Sequence, residues 1–350
     1  MLILYILLAI LILLLMIVIH ELGHYLAGKA LKFKINEFSV GFGPKIISKV
    51  NEKTGERFSL RAIPLGGFCA FEDEEGEEGE KNPKSFVNEP PWKRIIVLLA
   101  GGVFNMISAF IFTFIFILVV GFATPTVVDI TKNPQTLQPY NAELVVGDRI
   151  IGVNGEDITV LNTYEELLAS SGDDVTLSVI RNGENVTISV KKQEVTYVDA
   201  NGKTTTATGK LGFTARYDYQ GSFEVAIKEF IPYTFELSWT IIDSLFQIIT
   251  GKVEITQMTG TVGTVVFMAE TAQANWRSIF LLLPLIASNL GIFNLLPIPA
   301  LDGSKVVFTT IEWIRGKPIN RKIEGYIHAV GIMLLLAFVV FVDILHFTLR

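Results

Sequence analysis

Two histidines four residues apart close a long apolar run, in the order Ile19-His20-Glu21-Leu22-Gly23-His24. On a helix these positions lie one turn apart on the same face, so both imidazoles can reach a single metal ion. Glu21 follows the first of them, placed to take a proton from water that the metal has acidified. The competing reading is a pair of interfacial histidines on a membrane helix. Two histidines and a glutamate at the hydrocarbon edge are costly, which argues for chemistry.

A hydrolytic zinc site needs three protein ligands and an open position. The remaining histidines, His328 and His346, stand at opposite ends of the last apolar stretch, and neither adjoins a second motif. Asp302 is the better candidate for the third ligand. It ends Pro297-Ile298-Pro299-Ala300-Leu301-Asp302, a break after an apolar stretch, where irregular backbone at membrane depth must line a protein cavity. A turn-forming aspartate before Gly303 is the alternative.

The elements that must position these groups are those of a membrane protein. Half of the 350 residues are hydrophobic and only 18% are charged, and the mean hydropathy is +0.47. Runs of about 20 apolar residues, the length a lipid-crossing helix needs, recur along the chain. A net charge of −6 without a basic face or arm argues against nucleic acid as a partner. One cysteine, Cys69, excludes an internal disulfide framework and a cysteine-rich metal site.

Four spans are expected, over residues 2–27, 95–120, 279–296 and 326–346. The first lacks the basic start and small-residue end of a signal peptide, and cleavage there would discard the metal motif, so it is expected to stay. Residues 29–92 read as a β-hairpin against the membrane, with strands at 33–40, 44–50 and 57–63, followed by an acidic, glycine-punctuated tract over 72–80. Residues 126–215 alternate like short strands around glycine turns and form a compact α+β module. Residues 223–277 open with an apolar but charge-bearing stretch, expected to lie on the membrane surface, with a fifth crossing as the alternative.

Lysine and arginine concentrate in the loops after the first and third spans, which the positive-inside rule places in the cytoplasm. Both termini and the α+β module then lie outside, and the metal motif lies near the cytoplasmic side. Four spans also bring His24 and Asp302 to the same edge of the membrane, whereas a fifth crossing would separate them. The fold class is thus a polytopic α-helical membrane protein of about four transmembrane helices, with a membrane-associated β-hairpin and an inserted α+β module. Its catalytic core is split between residues 1–122 and 278–350.

The chain resembles the site-2 proteases, intramembrane zinc metalloproteases, especially their bacterial RseP-type branch. The resemblance runs through His20-Glu21-Leu22-Gly23-His24, Gly41-Phe42-Gly43-Pro44, Arg61-Ala62-Ile63-Pro64-Leu65-Gly66-Gly67, Pro91-Trp92-Lys93-Arg94, Ala100-Gly101 with Asn105, and Asn294 to Gly303. It implies one zinc ion per chain held by His20, His24 and Asp302, with Glu21 as catalytic acid/base and Asn294 contacting substrate or transition state. It also implies that residues 126–215 are a single PDZ domain outside the membrane, taking a peptide or protein ligand or filtering substrates by size. Its substrates would be single-span proteins of a bacterial inner membrane, such as anti-sigma factors or remnant signal peptides.

Two departures from the family pattern stand out. Ser304-Lys305 follows Asp302-Gly303 where Gly-His or a close variant is frequent, and Glu143 stands in the module where glycine is usual.

A substrate helix hides its carbonyls, so it must unwind before it can be cut. Arg57, Phe58, Ser59, Leu60, Arg61, Ala62 and Ile63 are expected to form an edge strand that pairs with the unwound segment. The rival reading is a catalytically inactive membrane scaffold that recruits partners through the PDZ-like module. A membrane protease with a cytosolic catalytic domain is excluded, because only a short loop follows the histidine motif.

Overall fold

A computed structural model describes residues 2–72, 85–198, 204–252 and 260–348. Most of the acidic tract at 72–80 lies outside the described residues. The chain divides into two units. One comprises the residues up to Thr113 and those from Thr234 onward, and the other is Phe114–Tyr233.

In the first unit, α1 (Leu2–Ala30) carries the histidine motif in its last turns. Two long strands follow, β1 (Ile35–Val50) and β2 (Arg57–Phe71), and then α2 (Pro91–Val119). Each strand bends in the middle. Gly41 and Gly43 take φ of 87° and 80° around the β1 bend, backbone that glycine adopts without a Cβ clash.

The bends bring β1 against β2 more than once. Lys49, Ser48 and Ile47 stand opposite Phe58, Ser59 and Leu60, and Phe38, Ser39 and Val40 stand opposite the same three residues. Residues 58–60 therefore have a strand on each side. The expectation that residues 57–63 form an edge strand is corrected for 57–60, where neighbours on both sides take up the main-chain hydrogen-bonding groups, while Arg61 and Ile63 stand opposite Lys45 and Phe42 on one side. Residues 67–71 of β2 pair with 35–40 along one side, Gly67 with Val40 and Phe71 with Ile35, and no strand pairs with their other side among the described residues.

The sheet is polar inside and apolar outside. Ser39 and Ser59 are buried, whereas Phe42, Ile46, Ile47, Phe58, Leu60 and Ile63 are exposed. Glu37 accepts from Ser59 Oγ at 2.5 Å and Arg61 Nη2 at 2.7 Å, and Arg61 Nε donates to Ser39 Oγ at 2.9 Å. Burial alone would raise the Glu37 carboxyl, but Ser59, Arg61 and Lys45 hold it down at about 2. Internal satisfaction of polar groups with an apolar exterior suits a sheet in contact with lipid.

The chain returns from the second unit through α4 (Phe223–Ile249), a helix with Pro232 inside it. Then come α5 (Thr261–Ala274), α6 (Ser278–Leu295), α7 (Asp302–Arg315) and α8 (Arg321–Thr348); α3 belongs to the other unit. Among the described residues, four helices are long and apolar enough to cross a membrane: α1, α2, α6 and the Arg321–His346 portion of α8. The core between them joins Ala9, Ile12 and Met16 of α1 with Ala109 of α2, Met268 of α5 and Leu282 and Ala287 of α6. The loop expected after the third span contains the amphipathic α7. The described residues of 223–277 form two helices, and the N-terminus of α5 is capped by Asp343 of α8, which accepts from Val262 N–H at 3.1 Å and Gly263 N–H at 3.0 Å.

The second unit contains β3 (Phe122–Ile130), β4 (Arg149–Val153), β5 (Glu156–Asp157), α3 (Tyr164–Ser170), β6 (Asp174–Arg181), β7 (Glu184–Lys191), β8 (Gln193–Val198), β9 (Thr204–Lys210) and β10 (Phe213–Gln220). The main sheet runs β10-β3-β4-β6-β7, with β5 on β4, and β8 pairs separately with β9. Val127, Ile150, Val153, Tyr164, Leu177 and Val179 are among its buried core residues. Thr163 and Glu166 form a capping box that starts α3. Buried Asp148 receives Arg181 through two 2.7 Å hydrogen bonds. Glu143 lies outside the left-handed region, so glycine is not needed there. The first and last strands lie side by side, Phe122 opposite Gln220.

Candidate metal centre

The last turns of α1 bring His20, Glu21 and His24 beside α2, and the first residue of α7 adds Asp302. Asp302 Oδ2 lies 3.0 Å from His20 Nε2 and 3.2 Å from His24 Nε2, and the two Nε2 atoms are 3.2 Å apart. These three residues are the group of metal-ligating side chains found together among the described residues. Asp302-Gly303 is thus a helix start instead of a turn, and a Cβ on Gly303 would fall 2.2 Å from Leu296 O. The positive end of the α7 dipole favours a carboxylate at that place. Burial alone would raise the Asp302 carboxyl, but hydrogen bonds and charge from the two histidines hold it below the usual carboxylate range.

The donor set fits a divalent transition metal. His24 Nδ1 lies 2.8 Å from the carbonyl oxygen of Val97. A carbonyl only accepts, so Nδ1 carries a proton, which leaves Nε2 as the nitrogen that can give a lone pair to a metal. Two imidazole nitrogens and one carboxylate oxygen, with room for a fourth partner, are a catalytic rather than a structural donor set. The room comes from glycine: a Cβ on Gly101 of α2 would stand 2.4 Å from His24 Nε2 and 2.6 Å from His20 Cε1. Gly23 in turn lets the helices approach, since a Cβ there would lie 2.4 Å from Ala100 O.

His20, Glu21, His24 and Asp302 line one cavity of about 460 Å³. Its other walls include Phe68, Cys69, Ala70 and Phe71, from the part of β2 that has a strand on one side only. Glu21 is hydrogen-bonded to the backbone of Cys69, which fixes the carboxylate against that strand. Lys305, one turn into α7, also lines the cavity and places a cation there.

The other expected residues fall elsewhere. Asn294 donates through Nδ2 to Leu290 O at 2.9 Å, one turn back along α6, and is not among the residues lining the cavity. Ser59 and Arg61 belong to the polar interior of the sheet. His328 accepts from Ala300 N–H at 3.3 Å, against the break that leads into Asp302. Ala300 holds φ at 90°, an unfavourable value for a residue with a Cβ. The sequence contains no signal for the Val97 carbonyl or the Cys69 backbone, because both act through main-chain atoms. In the sequence, Gly101 and Asn105 stood out only among the residues that carry the family resemblance.

The second unit has a larger cavity of about 1260 Å³, lined by Tyr164, Glu165 and Leu168 of α3 and by Phe213, Ala215 and Tyr217 of β10, among others. No metal-ligating cluster occurs in it among the described residues.

Comparison with known proteins agrees with the metal centre. A protein from Fusobacterium nucleatum, provisionally named a zinc metalloprotease, is 31% identical over 347 residues, covering 97% of each chain. Proteins of the same provisional name from Nostoc and Campylobacter jejuni are 29% and 30% identical, covering 95% and 93% of this chain and 93% and 88% of their own. The model of peptidase family M50 matches residues 8–338. That match extends from the first helix through Asp302 into the last, and so takes in every residue whose ligand atom converges here: the chain belongs to peptidase family M50, the zinc-dependent site-2 protease family.

Proposed function

We propose that this chain is an intramembrane endopeptidase that cuts the membrane segments of single-span proteins. The observation that carries this reading is the convergence of His20 Nε2, His24 Nε2 and Asp302 Oδ2 beside Glu21, in one cavity at the end of an apolar helix. His20, His24 and Asp302 hold the zinc. When bound, zinc supplies a Lewis acid that polarises the scissile carbonyl and makes water reactive near neutral pH. Glu21 accepts the water proton as its oxygen attacks the carbonyl carbon, and passes that proton to the leaving amine as the C–N bond breaks.

Residues 67–71 of β2 take over the pairing role first expected of 57–63. They line the cavity and have a strand partner on one side, so an unwound substrate segment can join the other and exchange helical for inter-strand hydrogen bonds. The cavity between α3 and β10 supports reading the second unit as a PDZ-like module that selects substrates by their outer domains. The topology follows from the positive-inside pattern: a multi-pass protein of a bacterial inner membrane, with both termini outside.

The test measures zinc per chain and cleavage of a reconstituted single-span substrate together. His20→Ala, His24→Ala and Asp302→Ala lose both. Glu21→Gln keeps its zinc and loses cleavage by about 10²- to 10⁴-fold, the size of a general-base contribution. Full zinc in Asp302→Ala would remove it from the ligand set. Undiminished cleavage by Glu21→Gln would sink the mechanism, and no cleavage by the wild type would leave the scaffold reading in its place.

A further inference from the structure

The two histidines differ in how their second ring nitrogen is satisfied. His24 Nδ1 has the Val97 carbonyl at 2.8 Å. His20 Nδ1 has the amide of Asn105, whose Nδ2 stands 3.5 Å away. Asn105 is fully buried at 0% exposure, and its Oδ1 has no hydrogen-bond partner. A buried carbonyl oxygen without a donor is unfavourable, so the arrangement calls for a donor that the metal-loaded site would provide.

The metal supplies the reason. With His20 Nε2 given to zinc, the neutral ring carries its proton on Nδ1 and needs an acceptor there. The amide nitrogen of asparagine cannot accept, but its oxygen can. A half-turn of the amide exchanges the two atoms with almost no change of shape. It places Oδ1 toward His20 Nδ1 and gives the orphaned oxygen its donor.

Val97, Gly101 and Asn105 follow one another at intervals of four along α2, which places them on one face. The first orients His24 and the second leaves room for both rings. Resting on the assignment of His20 as a zinc ligand, we infer that Asn105 is a positioning residue, whose side-chain oxygen accepts from His20 Nδ1–H and fixes that ring for zinc.

The experiment uses the full chain in detergent and measures zinc affinity by competition with a chelator, with no substrate present. Asn105→Leu keeps the volume and loses the acceptor. It should weaken zinc binding by about 10- to 100-fold, the usual cost of removing such a partner, while the thermal stability of the zinc-free protein stays at the wild-type value. Asn105→Asp keeps an acceptor and loses the amide donor, and should bind zinc at least as tightly as wild type. Wild-type affinity in Asn105→Leu would overturn the inference. So would weak binding in a folded Asn105→Asp, because the amide N–H would then be the group that matters. If Asn105→Leu fails to fold, Asn105→Asp alone decides by the same criterion. Failure here leaves the ligand set standing, whereas zinc retained in His20→Ala would remove the ligand assignment itself.

Discussion

The metal centre depends on residues that are absent as much as on those present. Gly101 faces both imidazoles, and a single methyl there would occupy the space between His24 Nε2 and His20 Cε1. In an ordinary exposed helix, glycine to alanine gains about 1 kcal/mol of helix stability. Gly101→Ala should do the reverse of improving the protein where it counts: zinc per chain should fall towards zero, with helix content unchanged. Metal analysis and circular dichroism on the same sample check this. Full zinc occupancy in that variant would mean that the rings can move aside, and that the cavity is less tightly built than the distances indicate.

Among the elements, the two bent strands matter most for substrate. Their polar network of Glu37, Ser39, Ser59 and Arg61 is closed on itself, and residues 58–60 are flanked on both sides. Residues 67–71 are flanked once and form a wall of the cavity. A substrate segment held in Glu21→Gln should therefore lie along them. In a Cys69→Ser background, a cysteine placed at Ala70 should form a disulfide with a substrate carrying one cysteine near its scissile bond. A cysteine placed at Ser59 should not. Cross-linking from Ser59 but not from Ala70 would restore the interior strand as the substrate contact. Asn294, which the resemblance implies contacts substrate or transition state, donates an amide N–H to Leu290 O within α6.

At the scale of the molecule, the inserted unit enters and leaves through neighbouring strands. Phe122 pairs with Gln220, and a Cβ on Gly121 would lie 2.5 Å from Gly221 N. The chain can therefore be rejoined there with little loop to close. Removing residues 122–220 and linking Gly121 to Gly221 should leave zinc per chain unchanged, and short single-span substrates should be cut at the wild-type rate. Substrates with large outer domains, refused by the intact protein, should then be cut. Slower cleavage of every substrate would make the module a recruiter instead. Unchanged selectivity and rate would remove it from substrate choice altogether.

The sequence by itself determined the elements whose signals are local. Apolar runs bounded by polar residues located the four helices long and apolar enough to cross a membrane, and the spacing of His20 and His24 placed both on one helical face. The alternation around glycine turns made residues 126–215 legible as short strands, and β4, β6 and β7 lie among them. Asp302 was legible because it follows a proline-rich break at the end of a span, where irregular backbone at membrane depth must line a protein cavity. Tertiary structure decided what depends on distant neighbours. Whether residues 57–63 are an edge or an interior strand depends on which segments bend back beside them, and alternation along one strand does not encode its partners. That Val97 contributes a carbonyl and that Asn105 lies at His20 depend on α2 passing within hydrogen-bond distance of α1. Such main-chain and packing contacts leave no residue type of their own in the sequence, because every residue carries a carbonyl and only the fold brings one to a metal ligand.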